Sequence, residues 1–248
     1  MATSFPVTFD DGHVVTAVRV DADGDVTDAL VALGLDRPVP VLVMVGGAGG
    51  VDPSDDDRLD RLFTDGVVPA VAEAGAVVVD GGTHSGVMRL HGVARARGGA
   101  TYPLLGVAAI GTIVLPGSPP PGPDAADVDP LHTHVVLVPG EVWGAEAPWI
   151  ARVATKLASG SPSVTVVING GEIVLDDVAR SIAARRPVIT VAGTGRTADR
   201  LVAAVRGAPD DPEVVQLAAS GLISVAHGTD PDGLAGRITD ALTGSPVS

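Results

Sequence analysis

The residues of this chain that could do chemistry gather around glycines. Val39–Val45 runs into Gly46-Gly47-Ala48-Gly49-Gly50, and Ala76–Asp80 runs into Gly81-Gly82. Leu104–Ala109 precedes Gly111, and His134–Val138 precedes Pro139-Gly140. Val164–Ile168 leads to Asn169-Gly170-Gly171, and Val188–Val191 to Gly193-Thr194-Gly195. Turns without a Cβ let phosphate or ribose oxygens reach backbone N–H groups, which together form an anion cradle. The expected phosphate contacts are Gly46, Gly47, Gly81, Gly82, Gly193, Thr194 and Gly195, with Gly86, Gly111, Gly140 and Gly144 in the same crevice. Arg89 and Arg196 fall in the first turns of helices, where a positive helix end disfavours a base, so each reads as an anion contact.

Glu141 and Glu146 flank Gly144, within reach of ribose hydroxyls or a glycosidic bond. They are therefore the catalytic candidates if the protein is an enzyme. His84 is placed to contact phosphate or base, beside Ser85, whose expected role is helix N-cap rather than nucleophile. No G-x-S-x-G elbow and no G-x-x-x-x-G-K-[ST] loop occurs; the lone lysine, Lys156, follows no glycine. Gly193-Thr-Gly195-Arg-Thr-Ala198 fits G-x-G-x-x-A but lacks the acidic residue expected about 20 positions on. His132-Thr-His134 has the spacing of a metal pair, yet it precedes its strand. The two are expected to be structural histidines at the amino edge of the sheet or the end of the preceding loop, away from the glycine turns, and no metal is assigned.

The elements carrying these residues alternate. Strand-like runs, including Val14–Val20 and Leu222–Val225, are continuous in apolarity, the pattern of strands buried on both faces. Helical patterns cover Asp21–Gly34, Arg58–Ala74, Ser85–Arg97, Ala145–Ala158, Ile173–Ala184, Thr197–Val205 and Pro231–Leu242. The expected fold is α/β, a Rossmann-like doubly wound, mostly parallel sheet with helices on both faces, as one domain over 1–248. Ligands bind such sheets at the carboxyl ends of the strands. A Pro-rich loop over 116–131 breaks the alternation and is either a lid or disordered.

Composition narrows the function classes. Of 248 residues 46% are hydrophobic but 2% aromatic, so Val, Ala, Leu and Ile must fill the core. Thirty acidic residues against 16 basic give a net charge of −14, a field that repels nucleic-acid phosphates. With no cysteine there is no disulfide, Cys-ligated zinc or thiol nucleophile. No signal peptide or stretch able to span a bilayer is evident, which leads to the expectation of a soluble cytoplasmic protein. The Arg-over-Lys bias reads as a GC-rich genome.

Several ordered blocks resemble the LSDAT family of the SLOG superfamily, found at the cytosolic N-terminus of melastatin-type TRP channels and as prokaryotic stand-alone proteins. They are Val43-Met-Val-Gly-Gly47, Asp80-Gly-Gly-Thr-His-Ser-Gly-Val-Met-Arg-Leu-His-Gly92, Gly106-Val-Ala-Ala-Ile-Gly111 and His132-Thr-His-Val-Val-Leu-Val138. Gly144-Ala-Glu146, Asn169-Gly-Gly171 and Ala192-Gly-Thr-Gly-Arg-Thr-Ala-Asp199 complete the likeness over about 39–205. The resemblance implies a bacterial ligand sensor or signalling domain for a nucleotide-derived small molecule: ADP-ribose, an NAD-derived product or a nucleoside phosphate. It implies no required cofactor and no membrane insertion, and leaves homo-oligomerisation open. The related LOG-type phosphoribohydrolases supply the alternative, N-glycosidic cleavage, although Pro148 stands where their pattern places the catalytic glutamate.

Overall fold

The computed structural model describes residues 2–22, 24–47 and 56–244. The chain opens with an antiparallel hairpin, β1 (Ser4–Thr8) and β2 (Val14–Arg19), then crosses through α1 (Val26–Ala32) to β3 (Val41–Gly46). Next come α2 (Asp56–Arg61), a π-helical turn (Leu62–Val67) and α3 (Val68–Ala74), then β4 (Val77–Asp80), α4 (Gly86–Arg97) and β5 (Leu104–Ala109). Two short strands, β6 (Ile113–Val114) and β7 (Ala126–Asp127), precede β8 (His134–Val138) and α5 (Ala147–Ala158). The chain continues through β9 (Ser163–Ile168), α6 (Ile173–Ala183), β10 (Val188–Ala192) and α7 (Arg196–Val205). It then runs through α8 (Pro212–Ala218), β11 (Ile223–His227) and α9 (Pro231–Thr243).

Nine strands form one sheet in the order β1-β2-β8-β5-β4-β3-β9-β10-β11, with only the β1–β2 pairing antiparallel. Alternating residues of β3 show how the layers are built. Val41, Val43 and Val45 join the core with α1, α5 and α6, while Leu42 and Met44 join the core with the π-turn, α3, α4 and α9. Both faces are therefore covered, which is why the strands read as unbroken apolar runs. From β3 the chain winds outward through β4 and β5 on one side, and β9, β10 and β11 lie on the other. The reversal between β3 and β9 opens a crevice at their carboxyl ends.

Three local departures from the sequence reading have physical causes. The pattern over Arg58–Ala74 is not one uninterrupted α-helix but widens into a π-turn just before Pro69, which has no N–H to donate. β1 escapes a periodicity search because Pro6 interrupts it, and an edge strand is where proline is tolerated. The 116–131 loop is pinned at both ends, by β6–β7 pairing and by a bridge between Thr83 and Val128. Of the first glycine run, Ala48, Gly49 and Gly50 lie outside the described residues.

One glycine contact is tight enough to test. A Cβ on Gly106 would stand 2.5 Å from the Gly82 Cα, and one on Gly82 2.9 Å from the Gly106 Cα. Backbone from the β4 turn thus lies directly on β5. Gly106→Ala should destabilise by about 1–3 kcal/mol through overpacking, seen as a lower denaturation midpoint. An unchanged midpoint would show that the two backbones have room to part.

Candidate functional site

At the crevice between β3 and β9 lies a cavity of about 470 Å³, within the range of about 300–1,000 Å³ usual for small-molecule sites. Gly46 and Gly47 at the end of β3, and Gly81 after β4, form one wall. Gly171, Glu172, Ile173 and Val174 bring the N-terminus of α6 to it, and Arg196 brings that of α7. Glu146 at the start of α5 and Trp143 just before it close another side. Three helix N-termini therefore border one cavity, each contributing partial positive charge. Gly46 is required by packing as well: a Cβ there would collide with the Ile168 carbonyl and the Val87 side chain.

Three carboxyls line the same cavity, Glu146, Asp177 and, at the exposed start of α6, Glu172. Glu146 accepts the Gly144 N–H at 3.0 Å through Oε2 and 3.2 Å through Oε1. Burial still pushes its pKa above the ordinary glutamate value, the Gly144 bond opposing the shift. Asp177, on the same face of α6 as Ile173 and Val174, has an Oδ1 shielded from solvent without a hydrogen-bond partner. Burial first, then the charges of Glu146 and Asp176, raise its pKa to about 8 against the opposing Arg180. Trp143 donates its indole N–H to the Asp124 carbonyl at 3.1 Å, so the Pro-rich loop touches a cavity wall.

A family model described as "SLOG in TRPM, prokaryote", the prokaryotic LSDAT family, matches residues 39–233. The chain belongs to this family. It is 28% identical over 212 residues to transient receptor potential cation channel subfamily M member 2 of Rattus norvegicus, covering 71% of this chain and 14% of the channel. The mouse protein of that name is 29% identical over 202 residues, covering 67% of this chain and 13% of its own length. A member-like 2 protein of Nematostella vectensis is 26% identical over 215 residues, with 72% and 14% covered. The matched region is thus a small part of each of these relatives. Among the described residues of this LSDAT chain, no helix is long and apolar enough to cross a membrane.

The glycine blocks of the LSDAT chain do different jobs. Gly46, Gly47, Gly81, Glu146 and Arg196 line the cavity between β3 and β9; the other candidate residues do not. Gly82 is spent on the Gly106 contact, and Gly140 packs on Ala109 and Ala145. The Gly111 N–H bonds the Gly140 carbonyl at 2.8 Å, and a Cβ there would strike Glu141. Glu141 itself is exposed and stands off the cavity. Ser85 is the N-cap residue of α4 but makes no side-chain cap bond; its hydroxyl lies 3.1 Å from that of Thr83. Gly86 and Arg89 continue α4 away from the lining.

Gly193 and Gly195 were expected to offer free amides. Instead both donate to Asp199, at 2.6 Å and 3.0 Å. The turn thus carries its own carboxylate where an anion was expected. Thr194 is turned inward, donating to the Val191 carbonyl and accepting the Asn169 N–H. Asp199→Ala should lower stability by about 0.5–2 kcal/mol, the loss of a carboxylate cap on two turn amides, with a smaller loss for Asp199→Asn. Equal midpoints for wild type and Asp199→Ala would show the cap to be inert.

His84 lies elsewhere, in a second cavity of about 350 Å³ with Phe9, Asp10 and part of the Pro-rich loop. Its Nδ1 is 3.1 Å from Asp129 Oδ2. The expectation that His132 lies away from the glycine turns is corrected. Its Nε2 is 2.8 Å from Asp80 Oδ1, the same oxygen that accepts the Gly82 N–H. Asp129 Oδ1 lies 3.5 Å from His132 Nδ1, and the Asp129 N–H donates to the Gly82 carbonyl. β4 is only four residues long, so the segment before β8 folds across its end. His134 does begin β8, its Nδ1 2.7 Å from the Thr133 hydroxyl.

Sequence reasoning missed Trp143, Ile150, Glu172, Ile173 and Asp177 as cavity residues. Asp177 left a signal. It sits among Val174, Val178 and Ser181, three buried residues of α6, where an acid with no partner needs an explanation.

Proposed function

We propose that this LSDAT chain binds a phosphate-bearing nucleotide derivative in the cavity between β3 and β9, as a ligand sensor or signalling domain. ADP-ribose and other NAD-derived products lead the list of ligands, given the channel relatives. One observation carries the reading: Gly47, Gly81, Arg196 and the α6 N-terminus meet in one cavity. Arg196 and the helix ends suit a phosphate, and Trp143 offers an aromatic face to a base. The amides of Gly193 and Gly195 take no part.

A thermal-shift screen of ADP-ribose, NAD, AMP and inorganic phosphate tests this. A ligand at 100 times its Kd stabilises by about 2.7 kcal/mol. No response to any of the four would defeat the proposal.

One feature favours a second reading, cleavage of an N-glycosidic bond. Glu146 lines the cavity with its pKa raised, as suits a general acid. Base or nicotinamide release from AMP or NAD, abolished by Glu146→Gln, would establish it; intact substrates after incubation would exclude it.

A further inference from the structure

We infer that Asp177 is the residue that recognises the hydroxyl-bearing sugar of the ligand, fixing which way round it lies in the cavity. The inference rests on the proposed nucleotide site and adds a polarity to it.

Asp177 lies one helical turn beyond Ile173, about 6 Å further along α6, so it lines a part of the cavity set apart from the helix N-terminus. Its Oδ1 is closed off from solvent and accepts no hydrogen bond from the protein. The Glu146 carboxyl is close enough for its charge to act on Asp177, and it already holds the Gly144 N–H. The cavity is therefore divided in its hydrogen-bonding chemistry. Arg196 and the N-termini of α6 and α7 favour a phosphate at one end. At the other, the Asp177 Oδ1 has no donor from the protein and calls for one from the ligand.

A ribose diol supplies O–H donors on adjacent carbons, which match a carboxyl group whose Oδ1 accepts no hydrogen bond from the protein. A cation is the competing occupant of an acidic pair. Among the described residues, no three His, Asp or Glu side chains are grouped to hold a metal; a cation held by two carboxyls and the ligand's phosphate is the outcome that the Mg²⁺ arm below detects.

Calorimetric titration with AMP, 2′,3′-dideoxy-AMP, IMP and ribose 5-phosphate, without and with Mg²⁺, tests this on wild type, Asp177→Asn and Arg196→Ala. Wild type should bind dideoxy-AMP about 10- to 100-fold more weakly than AMP. In Asp177→Asn that ratio should shrink to within about threefold, the signature of a coupled pair, and ribose 5-phosphate should weaken in parallel. The wild-type comparison of AMP with dideoxy-AMP needs no variant, so it stands even if a substitution harms folding. Equal binding of AMP and dideoxy-AMP, or a loss confined to IMP, would overturn the assignment while leaving the nucleotide site intact. A strict need for Mg²⁺ would do the same. Failure of all four probes to bind would remove the site itself.

Discussion

Arg196→Ala is expected to weaken nucleotide binding about 10- to 100-fold, the loss of a charge-assisted hydrogen bond to phosphate. Arg196 is exposed at the start of α7 and points its guanidinium toward Gly171, on the cavity rim. Its own φ is 51°, a left-handed conformation that a non-glycine residue adopts at some cost. The folded chain should tolerate the change, since an exposed substitution typically shifts stability by about 0.5 kcal/mol or less. Isothermal calorimetry with ADP-ribose, paired with a melting curve, separates the two effects. Unchanged affinity would remove Arg196 from the site; a large drop in melting temperature would make its role structural.

The second large effect concerns His132. Burial alone would lower its pKa, but the charge of Asp80, the hydrogen bond that His132 donates to it and the Asp129 carboxylate 3.5 Å away outweigh it and raise the pKa to about 9. An imidazolium therefore sits between two buried carboxylates. Because the folded pKa lies above the unfolded value, the contribution is complete below about pH 6.5 and disappears as pH rises through 9. Its size is on the order of 3 kcal/mol. His132→Ala leaves Asp80 and Asp129 without their counter-charge. The expected cost at pH 7 is about 3–5 kcal/mol, a fall in melting temperature of very roughly 6–20 °C for a chain of this size. Calorimetric melts from pH 6 to pH 10 should show wild type losing stability toward the alkaline end, with a flatter profile in the variant. Parallel profiles would mean that His132 is neutral in the folded protein. His91 works in the opposite sense: burial holds its pKa at about 4, so it opposes folding as the medium becomes acidic.

The architecture was legible because both faces of the sheet are covered. Continuous Val-rich runs such as Val41–Val45 leave no alternation to misread, and glycine at each strand end marks the carboxyl edge. What could not be read was the fate of each turn. Gly81 and Gly193 look alike in sequence, yet one lines the cavity and the other is capped by Asp199 from the next helix. Intrahelical capping of that kind depends on φ/ψ at Gly195, which spacing does not report. His132 was misplaced because its position follows from the shortness of β4 and the path of the Pro-rich loop, both tertiary. Asp177 was overlooked because a search for candidates near glycines passes over an acid one turn inside a helix.

The most direct measurement is a crystal structure with ADP-ribose or AMP bound. The account expects phosphate density in the cavity between β3 and β9, within hydrogen-bond distance of Arg196 and the Gly47–Gly81 wall, with the sugar toward Asp177. Density beside His84 in the second cavity, or a ligand seated on the Gly193–Gly195 turn after displacing Asp199, would contradict it.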